Sequence, residues 1–176
     1  IMNRTDLSPE QQTLTLRQAL DLALQHHTSE RFLEAEKIYQ QILQTNPDHP
    51  DVLHLLGVVT HQVGKSDRAV DLIRKSLAIK PDYAEAHYNL GNALHDLGKP
   101  DEAVSSYHKA INIKPDQTDV YYNLGNAFQN LGKPDEAVAN YRKAVAIKPD
   151  YSEAYNNLGN AFQDLGQLDE AVTSYR

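Results

Sequence analysis

Apolar residues in this chain fall into two stripes at helical spacing, and the pair of stripes returns every 34 residues. Over residues 118–151, Val120, Tyr121, Leu124, Phe128 and Leu131 form the first stripe. Val138, Tyr141, Ala144, Val145 and Ile147 form the second. Between them Gly132 supplies the left-handed residue that closes a helix. Pro134 suits the first turn of the next one, where its missing N–H would be unsatisfied anyway. Asp135 and Glu136 follow, where the helix dipole favours negative charge. Pro149 ends the second helix, because the residue before proline is pushed out of the α region. No stretch alternates apolar and polar residues as a strand would. The pattern predicts an all-α chain of antiparallel helix pairs.

The copies keep a common register. Leu90-Gly91-Asn92-Ala93 recurs at Leu124 and at Leu158, and Pro47, Pro81, Pro115 and Pro149 keep the same period. So do Ala35, Ala69, Ala103, Ala137 and Ala171. The phasing is 16–49 (divergent), 50–83, 84–117, 118–151 and an incomplete fifth unit at 152–176, preceded by an N-terminal segment, 1–15. Gly125, Ala137 and Ala144 permit close helix approach, with Tyr121, Leu124, Phe128 and Tyr141 filling the space. One pair cannot bury both its faces, so neighbours must stack into a solenoid. The first unit departs from the others: Ala23 replaces the helix glycine, Glu30 the turn glycine, and His26 a large apolar residue. Ser8-Pro9-Glu10-Gln11 has a capping-box pattern, which predicts a first helix running from Pro9 unbroken to about Thr28. The chain stops inside a second helix, so Leu158, Phe162, Val172 and Tyr175 are expected to leave an apolar face there, open to self-association.

The 34-residue period with Leu-Gly, Ala, Tyr and Pro at fixed places resembles the tetratricopeptide repeat over residues 16–176. That resemblance implies a right-handed superhelical solenoid whose first helices line a concave face. It also implies protein-protein interaction as the role.

Composition agrees. The net charge of −7 disfavours nucleic acid and anionic membrane as partners. Cysteine is absent, which removes thiolate and disulfide chemistry. No signal peptide or membrane span is legible, so a cytoplasmic location is expected. There is no phosphate loop, nucleophile elbow or zinc motif. His27, His61 and His95 share one repeat position, but helix axes ~10 Å apart are too distant for one metal. No catalytic residue, metal or cofactor is expected.

The concave positions carry the candidate binding chemistry. Asn89, Asn123 and Asn157 occupy the sixth place of their repeats, and Asn92, Asn126 and Asn160 the ninth. A carboxamide both donates and accepts, so such rows suit the backbone of an extended peptide. Tyr88 and Tyr122 add aromatic surface beside them, while Leu55 and Val58 make the N-terminal end apolar. Asp51, Glu85, Asp119 and Glu153 give an acidic rim, which favours a neutral-to-basic peptide over a terminal carboxylate. The asparagine row is similar to that in the repeat arm of O-linked N-acetylglucosamine transferase. The opening, Glu34 to Leu43 and Leu53 to Val58, resembles bacterial proteins with such a transferase further along. The resemblance implies a substrate-recruiting N-terminal arm of a larger protein. The alternative is an assembly scaffold with no ladder function, in which the asparagines brace neighbouring helices.

Overall fold

The computed structural model describes residues 14–175. These form ten helices and no strand: α1 (Leu16–Thr28), α2 (Phe32–Thr45), α3 (Pro50–Gln62), α4 (Ser66–Ile79), α5 (Ala84–Asp96), α6 (Pro100–Ile113), α7 (Thr118–Asn130), α8 (Pro134–Ile147), α9 (Ser152–Asp164) and α10 (Leu168–Ser174). They pack as consecutive pairs, α1 on α2 through α9 on α10, and each second helix also packs on the first helix of the following pair. The odd-numbered helices therefore share one face of the array.

Sequence signals account for the helix ends. Pro50, Pro100 and Pro134 each open a helix at its first residue. Gly64, Gly98, Gly132 and Gly166 sit between paired helices with φ between 67° and 79°. The same turn in the first unit is made by Glu30 at φ 58°. Its backbone bonds match those around Gly132: Arg31 N–H donates to His26 O (2.9 Å), as Lys133 N–H donates to Phe128 O (2.9 Å). The turn is thus imposed by helix closure and tolerates a side chain at a cost.

The first helix differs from the sequence expectation. Pro9 and its capping box lie outside the described residues, but the predicted helical extension does not reach α1 unbroken. Thr15 is extended (φ −64°, ψ 157°) and caps α1. Its Oγ1 accepts from Gln18 N–H (3.2 Å), and Gln18 Oε1 accepts from Thr15 N–H (2.9 Å). Two otherwise unpaired donors are satisfied at once, which fixes the start of the helix at Leu16.

The core runs along the seam between paired helices. Ala35, Ala69, Ala103 and Ala137 are fully buried there. Gly57, Gly91, Gly125 and Gly159 each face a large residue of the paired helix. A Cβ on Gly125 would lie 2.5 Å from the Tyr141 ring, and one on Gly57 would lie 2.6 Å from Ile73. Tyr107 and Tyr141 are each 1% exposed. Burial of each Leu or Ile along this seam contributes about 1.5–3 kcal/mol. Two expectations need correction. Leu158 and Phe162 are buried among α8, α9 and α10 rather than open, and the exposed large apolar residues at this end are Leu168, Val172 and Tyr175. Ile147, assigned to the second stripe, is 40% exposed, as is Ile113 one repeat earlier.

Candidate functional site

The two asparagine rows lie side by side on the first helices, and they are wired to each other across every junction. Asn123 Nδ2 donates to Asn92 Oδ1 (3.0 Å) and to Tyr88 Oη (3.1 Å), both on the preceding first helix. Asn157 Nδ2 repeats this with Asn126 Oδ1 (2.9 Å) and Tyr122 Oη (3.1 Å). In the last three pairs the tyrosine that faces the helix glycine then fixes the ninth-position amide from below. Tyr107 Oη donates to Asn92 Oδ1 (2.8 Å), Tyr141 Oη to Asn126 Oδ1 (2.7 Å) and Tyr175 Oη to Asn160 Oδ1 (2.7 Å). Burial pushes the Tyr107 and Tyr141 phenols up, so both stay protonated as donors.

This wiring divides the amides. At the sixth position Nδ2 is spent inside the protein, and Oδ1 has no partner among the described residues. At the ninth position Oδ1 is spent, and Nδ2 has none. Each of the last three repeats therefore presents one acceptor and one donor, on neighbouring turns of a helix. A peptide unit offers the complementary pair.

Two clefts open on this face. One, about 300 Å³, is lined by His61, Asn92, His95, Asp96, Tyr107, Asn123 and Asn126. The other, about 360 Å³, is lined by His95, Asn126, Gln129, Asn130, Tyr141, Asn157 and Asn160. Each residue of the second set lies 34 positions after its counterpart in the first. The site is itself a repeat.

At the N-terminal end the ladder changes. Asn89 Nδ2 donates to His54 Nε2 (2.9 Å), where later repeats have a tyrosine, and His54 Nδ1 donates to Tyr83 Oη (3.0 Å). His54 is 5% exposed, and burial pushes its pKa down to about 4 against the opposing pull of Asp51 and Glu85. Leu55 and Val58 replace the two asparagines in this repeat and are half-buried, with Leu55 against the core cluster that includes Tyr39, Val52 and Leu56.

Against models of known protein families, the chain matches one described as TPR repeat, over residues 62–98, 91–132 and 131–166. The chain belongs to the TPR repeat family. Among solved structures, this TPR array is similar to a "Crystal structure of MamA" (29% identity, TM-score 0.83, 88% of this chain and 91% of that one). A second, "Crystal structure of MamA protein", gives 28% identity and TM-score 0.83, over 91% of this chain and 87% of that one. A third, "MamA 41-end from Desulfovibrio magneticus RS-1", shares the fold at 19% identity and TM-score 0.85, over 91% of this chain and 90% of that one. No curated protein sequence matches the chain. The chain is a helical-repeat protein-interaction scaffold of the TPR type.

Two features of this TPR face are not legible in composition or single-repeat patterning. The first is a second row of rungs along the C-terminal ends of the first helices. His27 Nε2 donates to Gln62 Oε1 (2.8 Å), His61 Nε2 to Asp96 Oδ2 (2.7 Å), and Gln129 Nε2 to Asp164 Oδ2. Asn130 Nδ2 donates to His95 Nε2 (2.7 Å). All four span 35 residues, from the twelfth position of one repeat to the thirteenth of the next. The second is the state of the rim. Lys80 reaches Asp51 (3.2 Å) and Lys114 reaches Glu85 (3.5 Å), so two of the four rim acids carry a lysine partner. The signal for both was the repeat alignment, read diagonally between units. Among the described residues no group of His, Cys, Asp and Glu could hold a metal ion, and no helix is long and apolar enough to cross a membrane.

Proposed function

We propose that the first-helix face holds an extended, neutral-to-basic polypeptide segment through its backbone. The observation that supports this reading is the pair of clefts related by 34 residues, each bordered by the open Oδ1 of a sixth-position asparagine and the open Nδ2 of a ninth-position one. First helices of successive repeats lie about 10 Å apart, and an extended peptide advances about 3.3 Å per residue. Every third peptide N–H thus meets one asparagine acceptor: Asn89, Asn123, Asn157. Asn92, Asn126 and Asn160 donate to carbonyls alongside. Tyr88 and Tyr122 contribute aromatic surface, and Leu55 and Val58 select an apolar side chain at the N-terminal end. In the finer form of this reading, the array is the recruiting arm of a larger protein, with chemistry performed elsewhere.

Alanine at the asparagines removes both bracing and binding, so the peptide is the better place for the perturbation. Single N-methylation along a bound peptide deletes one N–H without touching the array. Affinity measured by calorimetry should fall with a period of three positions. Loss at random positions or none at all would refute backbone reading through this ladder. The inter-repeat hydrogen bonds give the assembly reading its own support: a folded Asn89→Ala, Asn123→Ala, Asn157→Ala variant that keeps full affinity for its partner would leave bracing as the asparagines' sole role.

A further inference from the structure

A cleft larger than the two on the first-helix face lies away from the asparagine rows. It measures about 650 Å³ and opens between the second helices α4 and α6, over α5. Leu77, Leu90, Leu94 and Ile113 supply apolar wall, and Lys109 stands beside it. His87 lines it too, and is 8% exposed. Its Nε2 donates to Pro81 O (2.8 Å), which leaves Nδ1 of the neutral ring as an acceptor. That Nδ1 is buried without a protein partner. A buried acceptor without a partner costs free energy unless something donates to it.

The next repeat shows what belongs in such a place. Thirty-four residues on, His87 is replaced by Tyr121, Leu77 by Ile111 and Lys109 by Lys143. Tyr121 is 9% exposed and has Ile111 packed against its cluster. Lys143 Nζ lies 5.3 Å from its ring centroid. The cleft retains the apolar neighbour, Leu77, and the lysine, Lys109, but not the aromatic ring. His87 is the shorter side chain, and it turns back to the Pro81 carbonyl.

We propose that this cleft is a second binding site, for a tyrosine side chain presented by a partner polypeptide. The ring enters from solvent where the chain's own tyrosine lies one repeat later, and Lys109 covers its face as Lys143 covers Tyr121. Tip-first entry carries the phenol O–H to the His87 end of the cleft, where a turn of the ring brings Nδ1, closed to solvent in this structure, within reach of the donor. Arg74 and Glu102, paired at 2.8 Å, border the opening as a closed ion pair, so the anchor that fits is uncharged.

The test uses p-cresol as the tyrosine side chain and toluene as the same ring without its donor, with binding followed by NMR of the whole chain. Shifts are expected at the His87 ring and the Leu77, Leu90 and Ile113 methyls, with toluene about tenfold weaker, the effect of one hydrogen bond. His87→Tyr fills the cleft from within, so it should abolish the shifts and raise Tm. Lys109→Gln, on an exposed helix position, should weaken p-cresol binding without unfolding the chain. Equal affinity for toluene, retention of p-cresol by a folded His87→Tyr, or shifts confined to Asn123, Asn126 and Asn157 would overturn the proposal. Peptide binding on the first-helix face should survive His87→Tyr, so the two sites stand or fall separately.

Discussion

Replacing His54 with tyrosine should flatten the acid sensitivity of the array. His54 is buried between Tyr83, 4.7 Å away between ring centroids, and Asn89, with Asp51, Glu85, Lys80 and His27 as its charged or titratable surroundings. Its folded pKa is pushed from 6.5 to about 4, so the folded chain keeps the ring neutral while the unfolded chain takes up a proton near 6.5. Stability from this group is therefore full above the unfolded value. It is lost as pH falls from 6.5 towards 4, and levels off below. At about 1.36 kcal/mol per pKa unit the complete loss is ~3 kcal/mol, of which ~2 kcal/mol is lost between pH 7.5 and 5. With a urea dependence of about 2 kcal/mol per molar, the midpoint should drop by ~1 M over that interval. Tyrosine fits the position: Tyr122 occupies it two repeats on, 5.0 Å from Tyr151, and accepts from Asn157 as His54 does from Asn89. Urea titrations of both proteins from pH 7.5 to 5 isolate the difference from the other histidines and the carboxylates. Parallel midpoint profiles would refute burial as the controlling factor at His54.

The remaining perturbations act elsewhere on the same framework. Gly125→Leu drives a side chain into Tyr141 and should cost at least ~1–3 kcal/mol. Asn123→Ala gives up two inter-repeat hydrogen bonds and should lower the urea midpoint by the equivalent of ~1–2 kcal/mol; an unchanged midpoint would show that the amide braces nothing. Glu30→Gly relieves a left-handed non-glycine residue and should raise stability by about 1 kcal/mol, so a lower Tm would contradict the turn assignment. Lys80→Ala with Lys114→Ala should alter stability by less than about 0.5 kcal/mol each, since the pairs are exposed. It should steepen the salt dependence of basic-peptide binding, and identical salt slopes would remove the rim from the account.

The helices were legible because their signals are local. Gly132 and Pro134 mark a turn and a helix start within three residues, and both occupy those places. Gly125 was readable as a close contact because its spacing to Tyr141 repeats in the neighbouring units. Thr15 was missed because Ser8-Pro9 offered a competing cap, and nothing local ranks two caps on one helix. The asparagine rows were legible as rows, but not in their division of labour. Which amide hydrogen is spent depends on partners 31 and 35 residues away, and so on the register of one repeat upon the next. The same holds for Leu158 and Phe162, whose burial depends on how α9 packs between α8 and α10.

The described side-chain hydrogen bonds between repeats reach no further than 35 residues along the chain. Such wiring has kinetic meaning. No step in folding requires distant parts of the chain to find each other, so the entropy of closing large loops never enters the barrier. Any adjacent pair of hairpins can nucleate, and growth in either direction adds a similar increment. In the reverse direction, opening begins at the ends and proceeds one unit at a time. Amide exchange should therefore be slowest in α5–α8 and accelerate outwards, even though all ten helices share one design.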